Sequence, residues 1–270
     1  MNTDVQQSSL DSLVAKNGSQ AAAVEHSRAV AEVQAAVTVA QAVPRDLTRV
    51  QAEMRSTCQR TAVAQAAFYS MPRAGGRVEG STVHLARELA RIWGNLDYGV
   101  RELRRDDDAG ESEIQAYCWD QQANGRNTRS FIVPHERMVK KQRSKLIDLG
   151  DIYLNNQNIG ARAVRECIFA TLPPWFVAEA EDICRQTLEQ GEGEPLEATV
   201  QKMRGAFKAL DVTEKMIETK LDKPRSAWTS GDVAALKIDY GTLSRQEAKI
   251  DELFPPDTSL VDELTGEVQS

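Results

Sequence analysis

The side chains best suited to chemistry in this sequence are cations, and they cluster. Arg73, Arg77, Arg87 and Arg91 surround the stretch MPRAGGRVEGSTVHLARELARIWGN at 71–95. Arg126 and Arg129 border an apolar run. Arg137, Lys140, Lys141, Arg143 and Lys145 then fall within nine residues, with no acid after Glu136. Arg162 and Arg165 follow on a helix-like segment. Tyr98, Tyr117, Trp119 and Phe131 are interleaved with them. Single-stranded nucleic acid is held by this combination: cations take the phosphates and bases stack on rings. The rival reading places the rings in the core and pairs the arginines with nearby acids. For 137–145 the phosphate surface is preferred.

Other chemistry finds little support. There is no G-x-x-x-x-G-K-[ST], H-E-x-x-H or G-x-S-x-G. In 71–95 no lysine follows Gly80-Ser81, and no strand signal is read ahead of Gly75, so the stretch is not an ATP loop. Its glycines turn the chain into a helix at 82–93. The start of that helix, with Arg73 and Arg77, can meet a polynucleotide phosphate. Three histidines and four separated cysteines offer no metal spacing, and reduced cytosolic thiols are the simple reading. Asp106–Asp108 in RRDDDAG could hold a divalent ion, but adjacent loop carboxylates point apart. A solvated loop is the stronger reading, and a metal-dependent nuclease remains a lesser alternative.

Charge is distributed unevenly. The 270 residues carry a net charge of -7, yet 1–43 hold -2, 44–170 hold +4 and 171–270 hold -9. A basic middle can hide a nucleic-acid surface inside an acidic protein. No apolar run is long enough for a membrane helix, and no signal peptide is read at the start.

The elements that must position these residues follow from periodicity. Residues 1–43 are read as an extension, disordered to about 19 and helical from 20. A second helix is expected over 44–70, with Pro44 in its first turn and Leu47, Val50, Met54 and Cys58 on one face. In the helix at 82–93, Val83, Ala86, Leu89, Ala90 and Trp93 face inward, opposite His84, Arg87, Glu88 and Arg91; Leu89 and Trp93 are expected beneath the sheet. Alternation over 96–134 predicts a three-stranded antiparallel meander, with Tyr117 and Trp119 on the face opposite Ile114 and Cys118. HERMVKKQRSKL is read as a helix or loop. A helix then ends at Pro173-Pro174, with Val164, Ile168 and Leu172 buried. The fold class is α+β: a small meander packed on helices, with helical extensions at both ends. The expected divisions are an extension at 1–43, a core at 44–190, an acidic helical region at 191–254 and a disordered tail at 255–270.

The order of these pieces resembles a known family. GGRVEGSTVHLARELARIWGN, a meander containing AYCWD, the basic HERMVKKQRSKL, then NQNIGARAVRECIFATLPPWFVAEA is similar to the RecT/Red-beta single-strand annealing proteins of phages. The likeness covers roughly 66–190 and is one of order and local pattern. The apolar front helix and turn of that family are not evident. The resemblance implies an ATP-independent, non-enzymatic protein of the bacterial host cytoplasm that coats single-stranded DNA and anneals complementary strands in recombination. It implies rings or helical filaments, and a C-terminal region that meets a phage exonuclease or the host single-strand-binding protein. No cofactor is expected; Mg²⁺ enters only as a candidate modulator of annealing. The DNA-binding candidates are Arg73, Arg77, Arg126, Arg129, Lys140, Lys141, Arg143, Arg162 and Arg165, with Tyr117 and Trp119 as stacking candidates. The alternative is a phage structural or assembly protein that oligomerises through its N-terminal helices.

Overall fold

The computed structural model describes residues 20–73, 76–139, 142–191 and 193–255. The disorder expected at 1–19, and all of the tail expected at 255–270 but Pro255, lie outside the described residues.

The alanine-rich helix α1 (Gln20–Ala42) has no glycine or proline within it. Pro44 does not begin the next helix. Asp46 does, its carboxylate accepting from the N–H groups of Thr48 and Arg49 to cap α2 (Leu47–Cys58). Val50, Met54 and Cys58 are buried as their spacing requires, while Leu47 is exposed. The single helix expected to residue 70 is three elements instead. Arg60 is extended and separates α2 from α3 (Thr61–Ala67), and the chain then enters strand β1 (Phe68–Arg73). The signal was alternation: Phe68 and Ser70 are fully buried, while Tyr69 and Met71 are half-buried. β1 pairs antiparallel with β2 (Gly76–Ser81). A strand does precede Gly75, and the glycine stretch is a hairpin.

Helix α4 (Val83–Trp93) is capped by Thr82, whose hydroxyl accepts from Leu85 N–H and donates to Ala66 C=O. It ends at Gly94 (φ 71°) and Asn95 (φ 54°). It packs mainly on the long helix described next, with α2 and α3 beside it and little contact with the sheet. Trp93 meets Phe176 and Trp175, with ring centroids 4.9 and 6.3 Å away, rather than lying beneath the sheet.

The meander has the expected order: β3 (Leu96–Asp106), β4 (Glu111–Asp120) and β5 (Gly125–Pro134), all antiparallel. Helix α5 (Leu149–Thr171) packs along one face of it. Gly160 lets the two approach closely, for a Cβ there would stand 2.8 Å from Val100 Cγ1. The basic segment is neither helix nor loop. It is a second hairpin, β6 (Glu136–Val139) with β7 (Gln142–Lys145). His135 N–H donates to Gly110 C=O, and Leu146 N–H donates to His135 C=O.

Pro174 opens α6 (Pro174–Gln190), and α7 (Leu196–Lys208), α8 (Glu214–Leu221), α9 (Ser230–Ser244) and α10 (Ile250–Leu253) follow. Two apolar cores result. One joins α2 to α6 with the inner sheet face. The other, built on Phe207, Ile217, Leu236 and Phe254, lies among α7 to α10. α9 belongs to both, giving Ala234 and Ile238 to the first and Val233, Leu236 and Leu243 to the second. Among the described residues no helix is long and apolar enough to cross a membrane.

Candidate nucleic-acid interface

The structure distributes the predicted cations over three places. The first is a groove of about 500 Å³ between the β1–β2 hairpin, one flank of α5 and the chain just after α9. Arg162 and Arg165 line it together with Tyr69 and Arg245. Local packing explains the geometry. Tyr69 pairs with Gly80 across the hairpin, and a Cβ at Gly80 would stand 2.7 Å from the Tyr69 hydroxyl. Glycine therefore lets the ring lie flat across β2. Arg165 sits over that ring, 5.2 Å from its centroid, with Nη1 donating to Ser81 C=O. Its Nε and Nη2 donate to Glu166. Arg245 donates to Phe68 C=O at 3.0 Å and also donates to the Glu247 carboxylate. Arg162 is exposed, and no hydrogen bond or ion pair among the described residues engages it. Arg73 and Arg77 stand on the two strands that carry Tyr69 and Val78 of the groove, but their side chains lie outside the described residues.

The second place is the sheet face turned away from α5. The register puts Asp97, Trp119 and Arg126 in one row and Gly99, Tyr117 and Thr128 in the next. Tyr117 was expected as an open stacking platform. It is buried instead, with 8% of its surface exposed. Arg101 and Arg126 cover its ring at 4.3 and 5.3 Å, and its hydroxyl donates to Asp97. Gly99 leaves room for the ring. Trp119 is half-buried, with Nε1 donating to Asn124. Arg129 does not join Arg126. The two are three residues apart on one strand, so they point to opposite faces, and Arg129 lies exposed on the α5 side beside Cys167.

The third place is the β6–β7 hairpin. Arg143 is 80% exposed and 3.8 Å from Glu136, and Arg137 is 3.9 Å from Asp151. Lys140 and Lys141 lie outside the described residues.

Two other arrangements place polar side chains close together. The RRDDDAG carboxylates are engaged locally. Arg104 pairs with Asp106 and Arg105 with Asp107, while the Ala109 N–H and then Arg104 hold the Asp106 carboxyl below its ordinary pKa. Among the described residues no three metal-ligating side chains gather. Ser112, His135 and Asp107 resemble an activated serine: Ser112 Oγ is 2.9 Å from His135 Nε2, and His135 Nδ1 is 3.9 Å from Asp107. However, Ser112 is fully buried and its hydroxyl donates to Glu102. A hydroxyl buried and engaged in this way is closed to a substrate. The trio fastens the second hairpin to the β3–β4 turn.

Sequence reasoning passed over Tyr69, Arg101 and Arg245. Alternation in FYSMPR could have found Tyr69, and Arg101, paired with Gln115 and so diagonal to Tyr117, needed the strand register to be found. Arg245 lies 80 residues from Arg165 in sequence, and no local signal joins them. Compared with known protein families, characterised proteins and solved structures, the chain matches none.

Proposed function

We propose that this protein binds single-stranded DNA and promotes annealing of complementary strands without hydrolysing nucleotide, as part of phage recombination in a bacterial host's cytoplasm. The observation that carries the reading is the groove in which Arg162, Arg165 and Arg245 converge beside the Tyr69 ring. Tyr69 and Glu166 hold Arg165 in place, and Arg162 is free to meet a phosphate. The resemblance in element order supports the same reading, and with it self-association into rings or filaments. It also supports contacts of the C-terminal region with an exonuclease or a single-strand-binding protein. The β6–β7 hairpin and the Arg101–Tyr117–Arg126 stack are further cationic surfaces along which a strand could run.

The test is fluorescence anisotropy with a labelled oligothymidylate between about 50 and 200 mM salt. Each phosphate neutralised contributes about -0.7 to the slope of log K against log salt for single strands, so three groove contacts give about -2. Arg162→Glu should weaken binding and make the slope less negative by about 0.7 or more. Two complementary oligonucleotides should anneal faster with protein and no ATP. Absence of binding at low salt overturns the proposal.

One observation favours the assembly-protein alternative. Helix α1 exposes Val24, Val30, Val33 and Val39, an apolar surface that a second copy could cover. Oligomers that form without any oligonucleotide affinity would select that reading.

A further inference from the structure

The groove between the first hairpin and α5 lies next to the place where the chain leaves its described body. Gln246 and Glu247 form part of the groove wall. Eight residues beyond Glu247, after α10, the described chain reaches Pro255. α10 packs on β1, the strand that carries Tyr69 and Met71 of the groove, and Phe254 is fully buried. The chain is therefore anchored beside the groove immediately before residues 256–270 begin. Those residues contain Asp257, Asp262, Glu263 and Glu267 and no lysine or arginine. Around the groove the balance is opposite. Arg162, Arg165 and Arg245 outnumber Glu166 and Glu247 there.

We infer that the acidic segment 256–270 is an intramolecular occupant of the arginine groove and competes there with nucleic acid. The inference rests on the groove being the nucleic-acid site, and it adds the regulation of that site. The physics is that of a tethered polyanion. Fifteen residues extended can span about 50 Å, whereas α5 is about 35 Å long, so reach does not limit the contact. A short tether holds its ligand at millimolar effective concentration, enough for a weak ion-pairing segment to occupy the site. A long DNA strand brings many phosphates and displaces it. The result is a threshold that discriminates against short or isolated anions, and it is relieved by anything that captures the segment.

The full chain tests this in two measurements. With benzoylphenylalanine in place of Leu260 and no nucleic acid present, irradiation at low salt should cross-link within the same chain to β1, β2 or the 158–165 flank of α5. Arg162→Glu should reduce that product, as should combined neutralisation of the four acids (D257N, D262N, E263Q, E267Q). Separately, the neutralised chain should bind oligothymidylate about fivefold tighter than wild type at about 50 mM salt, with the gap closing by about 200 mM. Cross-links elsewhere, cross-links only between chains, or unchanged oligonucleotide affinity after neutralisation would each overturn the inference. Groove cross-links in a protein that binds no oligonucleotide would keep the seat and discard the nucleic-acid reading. Tight oligonucleotide binding without groove cross-links would do the reverse.

Discussion

Asp120 and Arg45 form a buried pair whose removal should be among the costliest single changes in the molecule. Arg45 Nη1 and Nη2 each donate to the carboxylate at 2.7 Å, and the two side chains are 10% and 7% exposed. Asp120 also accepts from the N–H groups of Gln122 and Ala123, and Arg45 stacks on Trp93 at 4.8 Å. The pair seats the segment after α1 against the β4–β5 turn. Asp120→Ala strands the guanidinium in a buried site with only Gly94 C=O at 3.4 Å. The expected loss is about 3–5 kcal/mol. Arg45→Met should cost less, about 2 kcal/mol, because the carboxylate keeps its two backbone donors. The double variant should fall short of the sum by 1 kcal/mol or more, the coupling of two groups in contact. Burial pushes the Asp120 carboxyl up, but Arg45 and the Ala123 N–H outweigh it, and the folded pKa lies below the ordinary value. The stability it contributes is complete above the unfolded carboxylate value, about 3.9, and is lost as pH falls through the folded one. The gap between wild type and D120A should therefore shrink on acidification below about pH 4. Urea unfolding followed by tryptophan fluorescence and circular dichroism reads both quantities. A D120A cost under about 1 kcal/mol at neutral pH, or a gap that does not shrink in acid, would refute the reasoning.

Further expectations concern single sites. Gly160→Ala should lose about 1 kcal/mol, because crowding of Val100 exceeds the helix-propensity gain, and adding Val100→Ala should recover most of it in the same urea assay. Thr82→Ala should cost about 1–2 kcal/mol and Thr82→Ser much less, since the hydroxyl both caps α4 and bonds Ala66. Burial pushes the Cys118 thiol up to about 11, and all four cysteines are buried. A disulfide reagent such as Ellman's should therefore titrate no thiol rapidly in the native protein and all of them in denaturant; fast native labelling would contradict the packing.

Much of the helical fold was legible because each helix carries its own evidence. The apolar faces of α4 and α5 and the helical character of 191–254 follow from spacing and from breakers such as Pro173-Pro174. The meander was legible through alternation and the NGRN turn. The errors fall where two periods compete over a few residues. In QAAFYSMPR the alanines extend a helical pattern into a strand, and in HERMVKKQRSKL the charges mask one.

The site was less legible than the fold. Sequence by itself determined which side chains could meet phosphate and that the middle of the chain is basic. It left Arg126 in the NGRN turn; the strand's start at Gly125 is what puts Arg126 and Arg129 on opposite faces. Only the tertiary structure decided which cations meet. Arg162, Arg165 and Arg245 become neighbours because α9 returns to the first core and its C-terminal end delivers Arg245 to Phe68. Tyr117 lies under two guanidinium groups because its diagonal neighbours on the adjoining strands, Arg101 and Arg126, supply them. Periodicity encodes the face a residue takes within its own element. Proximity between elements is set by how their buried faces pack, a sum over many contacts that no single stretch of sequence contains.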